Sequence, residues 1–148
     1  MPDLVPVHGG LDAPINRTVP LSRRKQFLAE AAALPRVEVS KADLATVYRI
    51  ADGTLSPLSG FMDEETWHEV LEHEALEFGF RNYAWTAPIS LPLTDDEAKR
   101  LAVGRAAALT FEGSICAVIR VSGVFDWDKA KHVEKFYGTN RIDHPGGH

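Results

Sequence analysis

The spacing of the apolar residues changes halfway along the chain, and this change constrains the fold more than any other feature. Up to about residue 75 the apolar residues recur at helical spacing, whereas residues 85–124 mostly have the pattern of extended chain. Helices concentrated early and strands concentrated late are typical of an α+β domain, and not of a doubly wound sheet. The sequence therefore predicts an α+β fold with a mostly antiparallel, barrel-like sheet and flanking helices.

A dense run of prolines and glycines marks residues 1–20, where we expect an extended arm without regular structure. The 148 residues fit one domain, and a domain of this length can bury a self-supporting core. The sequence therefore predicts a single domain over residues 1–148 that begins with this arm.

Capping residues followed by apolar stripes predict four helices. Ser22, Ser40 and Asp63 are the expected N-caps of the first three, and the last helix is expected over about Asp128–Tyr137. The expected buried faces are Phe27, Leu28, Ala31 and Leu34; Leu44, Val47, Tyr48 and Ala51; Trp67, Val70, Leu71 and Ala75; and Ala130, Val133 and Phe136 or Tyr137. Thr94 is expected to cap a further short helix that reaches Leu101.

The strands are predicted from alternation, β-branched residues and turn signals. Pro88 and Pro92 cannot donate to a ladder, so the stretch that contains them is expected to be an edge or bulged strand. The predicted strands are Arg36–Val39, Trp85–Leu93, and a hairpin of Ala106–Phe111 with Ser114–Val124 across Glu112 and Gly113.

The charge pattern argues against several classes of partner. The net charge of −5 does not favour nucleic acid or anionic lipid, so nucleic-acid binding is not expected. The basic clusters at residues 23–25 and at Lys129, Lys131 and Lys135 are expected to be solvated helix backs. No apolar run approaches the roughly 20 residues of a membrane helix, and the first residues lack a signal-peptide pattern. We expect a cytoplasmic protein without membrane partners.

The residues that could carry chemistry do not form a recognisable site. His68 and His73 are five residues apart and would face different sides of a helix. His144 and His148 are separated by Pro145-Gly146-Gly147, which cannot be helical. Cys116 is expected to be a buried, inert thiol. The sequence therefore predicts no catalytic, cofactor-binding or metal-binding residue.

Residues 55–62, Leu-Ser-Pro-Leu-Ser-Gly-Phe-Met, form the segment that composition does not explain. Its physical interpretation is a compact turn in which Pro57 restricts φ, Gly60 adopts a left-handed conformation, and Phe61 and Met62 enter the core. The segment also resembles the (F/L)SPL(T/S)GFM sequence of the ATP sulfurylase N-terminal domain. Three further segments agree in order: His8-Gly9-Gly10, Trp85 with Pro88-Ile89-Ser90-Leu91, and Tyr137-Gly138-Thr139 followed by His144-Pro145-Gly146.

This resemblance implies a PUA-like domain, a β pseudo-barrel with flanking helices. The catalytic domain of the family carries Gln-x-Arg-Asn-Pro-x-His-x-x-His and Gly-Arg-Asp segments. Neither segment occurs in this sequence. Arg81-Asn82 is flanked by Phe80 and Tyr83, so no catalytic residue is carried over. Residues 85–88, Trp-Thr-Ala-Pro, and Gly147 depart from the family pattern.

The implied function is that of an accessory, non-catalytic domain in sulfate activation, in which ATP and sulfate give adenosine 5′-phosphosulfate and pyrophosphate. Mg-ATP would bind only the catalytic domain, and this chain would need no cofactor of its own. The expected partner is that catalytic domain or another protein subunit. A homo-oligomer is also compatible with the resemblance. Two alternatives remain open, a stand-alone PUA-like module that binds RNA and a protein-interaction subunit.

Overall fold

The computed structural model describes residues 6–141 and 143–145. Within them, short helices alternate with short strands. The elements are α1 (Arg24–Ala31), β1 (Arg36–Glu38), α2 (Lys41–Ala51), α3 (Glu64–His73), β2 (Ala75–Phe78), β3 (Arg81–Ala84), α4 (Asp95–Ala98), β4 (Ala106–Phe111), β5 (Ser114–Arg120) and α5 (Lys129–Tyr137).

Side chains cap the starts of three long helices, as the sequence predicts for α2 and α3. Ser40 and Asp43 form a capping box at α2. Asp63 accepts a hydrogen bond from the Thr66 amide at α3, and Asp128 caps α5. These contacts satisfy amides that the first helical turn leaves without partners.

The predicted cap of α1 is wrong. Ser22 lies inside a 3-10 turn, Leu21–Arg23, and α1 begins after it without a side-chain cap. The residue before the turn is Pro20, whose fixed φ suits a tight turn that precedes the helix.

Several positions predicted to be buried differ in the structure. Tyr48 is exposed, because α2 buries Val47 and Ile50 instead. Ala75 belongs to β2, since Glu74 adopts a left-handed conformation and ends α3. Ala130 is exposed on α5, and so are both Phe136 and Tyr137, one of which was predicted to face inward; of the predicted face, Val133 is buried. Each apolar stripe is therefore narrower or shorter than the sequence pattern suggests.

The predicted β4–β5 hairpin is confirmed. Glu112 and Gly113 both have positive φ, as a two-residue hairpin turn requires. However, β5 ends at Arg120 and not at Val124, which is exposed. The first strand is also confirmed, since β1 runs parallel to β4 from Arg36 to Glu38.

Two other elements of the second half were predicted wrongly. Residues 85–93 form no strand, and their two prolines remove donors that a ladder would need. Strand pairing lies just before them instead, in the antiparallel hairpin of β2 with β3. Helix α4 ends at Ala98, before the expected Leu101. It forms one helical turn, and the residues after it are not helical.

The chain divides into two compact units. Unit 1 contains residues 6–61 and 91–122, and it holds the three-stranded sheet in the order β1-β4-β5. Val37, Val39, Val47 and Leu109 form its buried core, against which Phe61 packs from a half-buried position. In the extended arm, the Arg17 amide donates to the Ala51 carbonyl at 2.7 Å.

Unit 2 contains residues 62–90 and 123–145, and it holds the two-stranded β2–β3 sheet. Its buried residues are Met62, Trp67, Val70, Leu71, Leu76 and Val133. The α+β prediction is confirmed, with two antiparallel pairings and one parallel pairing, but the strands of the described residues do not close into a barrel. The extent of the domain, residues 1–148, stays a prediction. No helix in the described ranges is long and apolar enough to cross a membrane.

Candidate functional site

The motif at residues 55–62 uses its polar atoms inside the fold. The buried Ser56 hydroxyl accepts from the Ile15 amide at 2.8 Å and donates to the Gly53 carbonyl at 2.6 Å. Pro57, which follows a cis peptide bond, lies against Gly9, where an added Cβ would be 2.7 Å from the proline Cβ. The motif therefore holds the arm against the end of α2.

The second half of the motif is also structural. Gly60 does not have the left-handed conformation expected of it, and open space surrounds its Cα. The Met62 amide donates to the Ile89 carbonyl at 2.8 Å, and the Ile89 amide donates to the Met62 sulfur at 3.2 Å. These contacts make the motif a signature of the fold and not of a reaction centre.

A cluster of aromatic rings forms the most distinctive surface of unit 2. The ring of His132 stacks between Trp67, at 5.5 Å, and Phe136, at 5.4 Å, and the ring of Trp127 approaches it edge-on at 4.9 Å. Phe136 in turn contacts Tyr137 at 4.7 Å. We call Trp127, His132, Phe136 and Tyr137 the aromatic surface.

The rings of the aromatic surface are only partly covered by the chain. Trp127, Phe136 and Tyr137 are 48%, 37% and 40% exposed, whereas Trp67 beneath them is buried. Contiguous exposed apolar area of this kind marks protein-interaction sites more often than single exposed residues do. The arrangement can bind an apolar partner surface.

His132 contributes to the apolar character of this surface. Burial lowers the pKa of its imidazole, which favours the neutral ring. Its Nδ1 atom is buried and has no hydrogen-bond partner among the described residues. The ring therefore packs as an aromatic group between Trp67 and Phe136.

Two basic residues beside the aromatic surface share one carboxylate within unit 2. Lys131 and Lys135 on α5 each place Nζ 2.8 Å from a carboxylate oxygen of Glu72 on α3. Hydrogen bonds from these lysines lower the pKa of Glu72 to about 2. Both lysine side chains remain partly exposed to solvent, as expected of a solvated helix back, and their ion pairs also join α5 to α3. Arg141 is paired in the same way with Asp143 at 2.8 Å.

The histidines do not assemble a metal centre. The imidazole of His73 lies 3.6 Å from Glu69, and the ring of His68 meets Trp67 edge-on at 5.2 Å. His144 lies 4.6 Å from the Tyr137 ring, and His148 lies outside the described residues. Within residues 6–141 and 143–145, no three His, Cys, Asp or Glu side chains are grouped so that they could hold an ion.

Cys116 is half-buried, which is less than the sequence predicts, but its environment favours an unreactive thiol. The thiol donates to the Leu109 carbonyl at 3.3 Å, and burial raises its pKa. A raised pKa reduces the fraction of nucleophilic thiolate.

Sequence reasoning missed the aromatic surface. A signal was present, because Trp127 immediately precedes the helix cap and Phe136 follows His132 by one helical turn. Their exposure could not be read from this pattern, since the same spacing describes a buried stripe.

Comparison with known proteins gives a consistent result. The PUA-like domain family matches residues 5–148. The sulfate adenylyltransferase of Pyropia yezoensis is 43% identical over 147 residues, which are 99% of this chain and 34% of that protein. That of Staphylothermus marinus is 34% identical over 139 residues, which are 94% of this chain and 35% of that protein.

Structural comparison agrees. A hexameric APS kinase from Thiobacillus denitrificans matches with a TM-score of 0.69 and 26% identity, over 83% of this chain and 24% of that chain. The chain spans about a third of the length of the curated relatives that it matches. The resemblance carried by residues 55–62 is confirmed, and this chain belongs to the PUA-like domain family.

Proposed function

We propose that this chain is an accessory, non-catalytic domain of a sulfate adenylyltransferase-like protein and serves sulfate activation from ATP and sulfate. One observation carries the proposal: sulfate adenylyltransferases match 94–99% of this chain, while the chain accounts for only about a third of their length. The simplest explanation of this match is that the chain corresponds to one domain of these proteins and not to the whole enzyme.

The basic residues around the aromatic surface and the missing catalytic segment support a non-catalytic role. Adenylyl transfer requires cations and amides positioned around the phosphates. Here Lys131 and Lys135 are paired with Glu72, and Arg141 is paired with Asp143. The Gln-x-Arg-Asn-Pro-x-His segment does not occur in the 148 residues. Mg-ATP would therefore bind the catalytic domain of such a protein, in the cytoplasm, where we expect this reaction.

The aromatic surface is proposed as the contact with that catalytic domain. Half-exposed Trp and Tyr rings with paired charges around them match the apolar centre and polar rim of protein interfaces. A partner with an apolar surface suits the exposed rings best, and the two neighbouring lysines already share the carboxylate of Glu72.

The first test uses the chain by itself. We expect pyrophosphate release at background level with ATP, Mg²⁺ and sulfate, and no heat of ATP binding in calorimetric titration. Turnover above background would refute the non-catalytic role and would reveal an active site of unexpected composition.

The second test places the chain in a relative. In the Pyropia yezoensis enzyme, the matching residues are replaced by this chain, and we expect the chimera to release pyrophosphate. Phe136→Ser should lower the rate of pyrophosphate release by the chimera about tenfold or more, because it truncates an interface anchor. Tyr48→Ser, which removes an exposed aromatic ring from unit 1, is the control.

The controls separate folding from docking. Both variants are first compared in the isolated chain by urea denaturation, so that a loss of stability is not mistaken for a loss of contact. Equal effects of Phe136→Ser and Tyr48→Ser would contradict the docking role. A folded but inactive chimera would contradict the accessory role.

A further inference from the structure

The tip of the β2–β3 hairpin carries a phenylalanine in an unfavourable backbone conformation. Gly79 and Phe80 form the turn, with φ of 58° and 61°. The left-handed conformation suits glycine but is disfavoured for a residue with a Cβ. The Phe80 side chain is 100% exposed. A strained and fully exposed aromatic ring at a hairpin tip has the form of an anchor for another surface.

A cavity of about 230 Å³ in unit 1 has the size and lining to receive such a ring. Val19, Pro20 and Phe27 provide its apolar wall, and Arg23, Gln26 and Glu30 provide its polar edge. A cavity of about 150 Å³ is known to be large enough for benzene. The phenyl group of Phe80 is therefore within the capacity of this cavity.

The charges beside the two features are complementary. Glu77 and Arg81 flank the hairpin tip, and both side chains are exposed. Arg23 and Glu30 stand at the cavity. None of these four residues forms an ion pair within the described part of the chain. Each acidic residue on one feature therefore has a basic counterpart on the other.

We propose that the Phe80 tip of one copy of this chain inserts into the Val19–Phe27 cavity of a second copy. Because the anchor and the cavity are different surfaces, two copies can exchange anchors in a closed dimer, or the contact can repeat from copy to copy. This self-association is independent of the proposed function, because neither feature includes the aromatic surface.

Sedimentation velocity tests the proposal between about 10 µM and 1 mM, the range expected for a contact smaller than a standard interface. The wild-type chain should form dimers or larger species as concentration rises, since every copy carries both features. Phe80→Asn removes the anchor while keeping a residue that tolerates the left-handed turn. Val19→Trp fills the cavity. Each variant should remain a monomer over the whole range.

A mixture of the two variants gives the decisive measurement. The Phe80→Asn chain retains the cavity and the Val19→Trp chain retains the anchor, so an equimolar mixture should form dimers that cannot grow further. Val103→Ser, at an exposed apolar position elsewhere in unit 1, should associate like the wild type. Circular dichroism of each variant verifies the fold.

Three results would overturn the proposal: a monomeric wild-type chain at every concentration, undiminished association of Phe80→Asn, or folded variants whose mixture stays monomeric. The last result would mean that Phe80 and the cavity do not contact each other across copies.

Discussion

Replacement of Trp67 by alanine tests the interpretation of unit 2. Trp67 is only 3% exposed, and its indole lies 5.5 Å from the His132 ring, 6.1 Å from Phe125 and 6.4 Å from Trp127. Trp67 therefore connects α3 to the segment that leads into α5. Trp67→Ala removes the support beneath the aromatic surface.

The expected loss follows from the buried area. A buried tryptophan removes about 200 Å² from water, which at about 25 cal/mol per Å² gives about 5 kcal/mol as an upper value. Measured truncations of buried aromatic residues cost about 3–5 kcal/mol. We expect a loss in this range for Trp67→Ala, and a loss of about 1–2 kcal/mol for Trp127→Ala, because half of the Trp127 side chain is already exposed.

Urea denaturation measures both losses. Trp67, Trp85 and Trp127 all lie in unit 2, so the fluorescence of the remaining tryptophans reports this unit, while circular dichroism reports the whole chain. Trp67→Phe, which keeps a ring at the site, should lose less than Trp67→Ala and provides a value if the alanine variant does not fold. Equal losses for Trp67→Ala and Trp127→Ala, or a loss below about 1 kcal/mol for Trp67→Ala, would refute this account of the cluster.

Three further predictions concern single contacts and binding. Ser56→Ala should cost about 1–3 kcal/mol, because it leaves the Ile15 amide without its acceptor, whereas the exposed Ser59→Ala should stay within about 0.5 kcal/mol in the same denaturation assay. The folded pKa of Glu72, about 2, lies below its ordinary value of 4.5, so its stabilising effect is complete above pH 4.5 and fades as the pH falls toward 2; thermal unfolding of Glu72→Gln should lack this component. Titration with mixed-sequence RNA near physiological salt should show no micromolar affinity, and a tight, steeply salt-dependent complex would favour the RNA-binding alternative.

Local chemistry explains which elements the sequence predicted well. Ser40, Asp63 and Asp128 act as caps through contacts with residues three positions away. The β4–β5 turn likewise depends on two adjacent residues, one of them glycine. Such features depend on a few neighbouring residues, so they form independently of how the rest of the chain folds.

The β2–β3 hairpin shows where local signals fail. Its turn is Gly79-Phe80 and lacks the Asn-Gly or Asp-Gly pair that identifies a two-residue hairpin turn. The extended pattern of residues 85–93 was more conspicuous, although two prolines prevent it from pairing. The structure has the hairpin because Leu76 can be buried within unit 2, which is not a local property.

By itself, the sequence determined the α+β class, the main helix starts and, through residues 55–62, the family. Only the tertiary structure decided which aromatic rings are exposed and which lysines pair with a carboxylate. Glu72 meets Lys131 and Lys135 across some sixty residues of sequence. Val133 and Phe136 both belong to the apolar pattern of α5, but Val133 is buried and Phe136 lies at the surface. Periodicity defines the faces of a helix, but the elements packed against it determine how much of each face remains exposed to water.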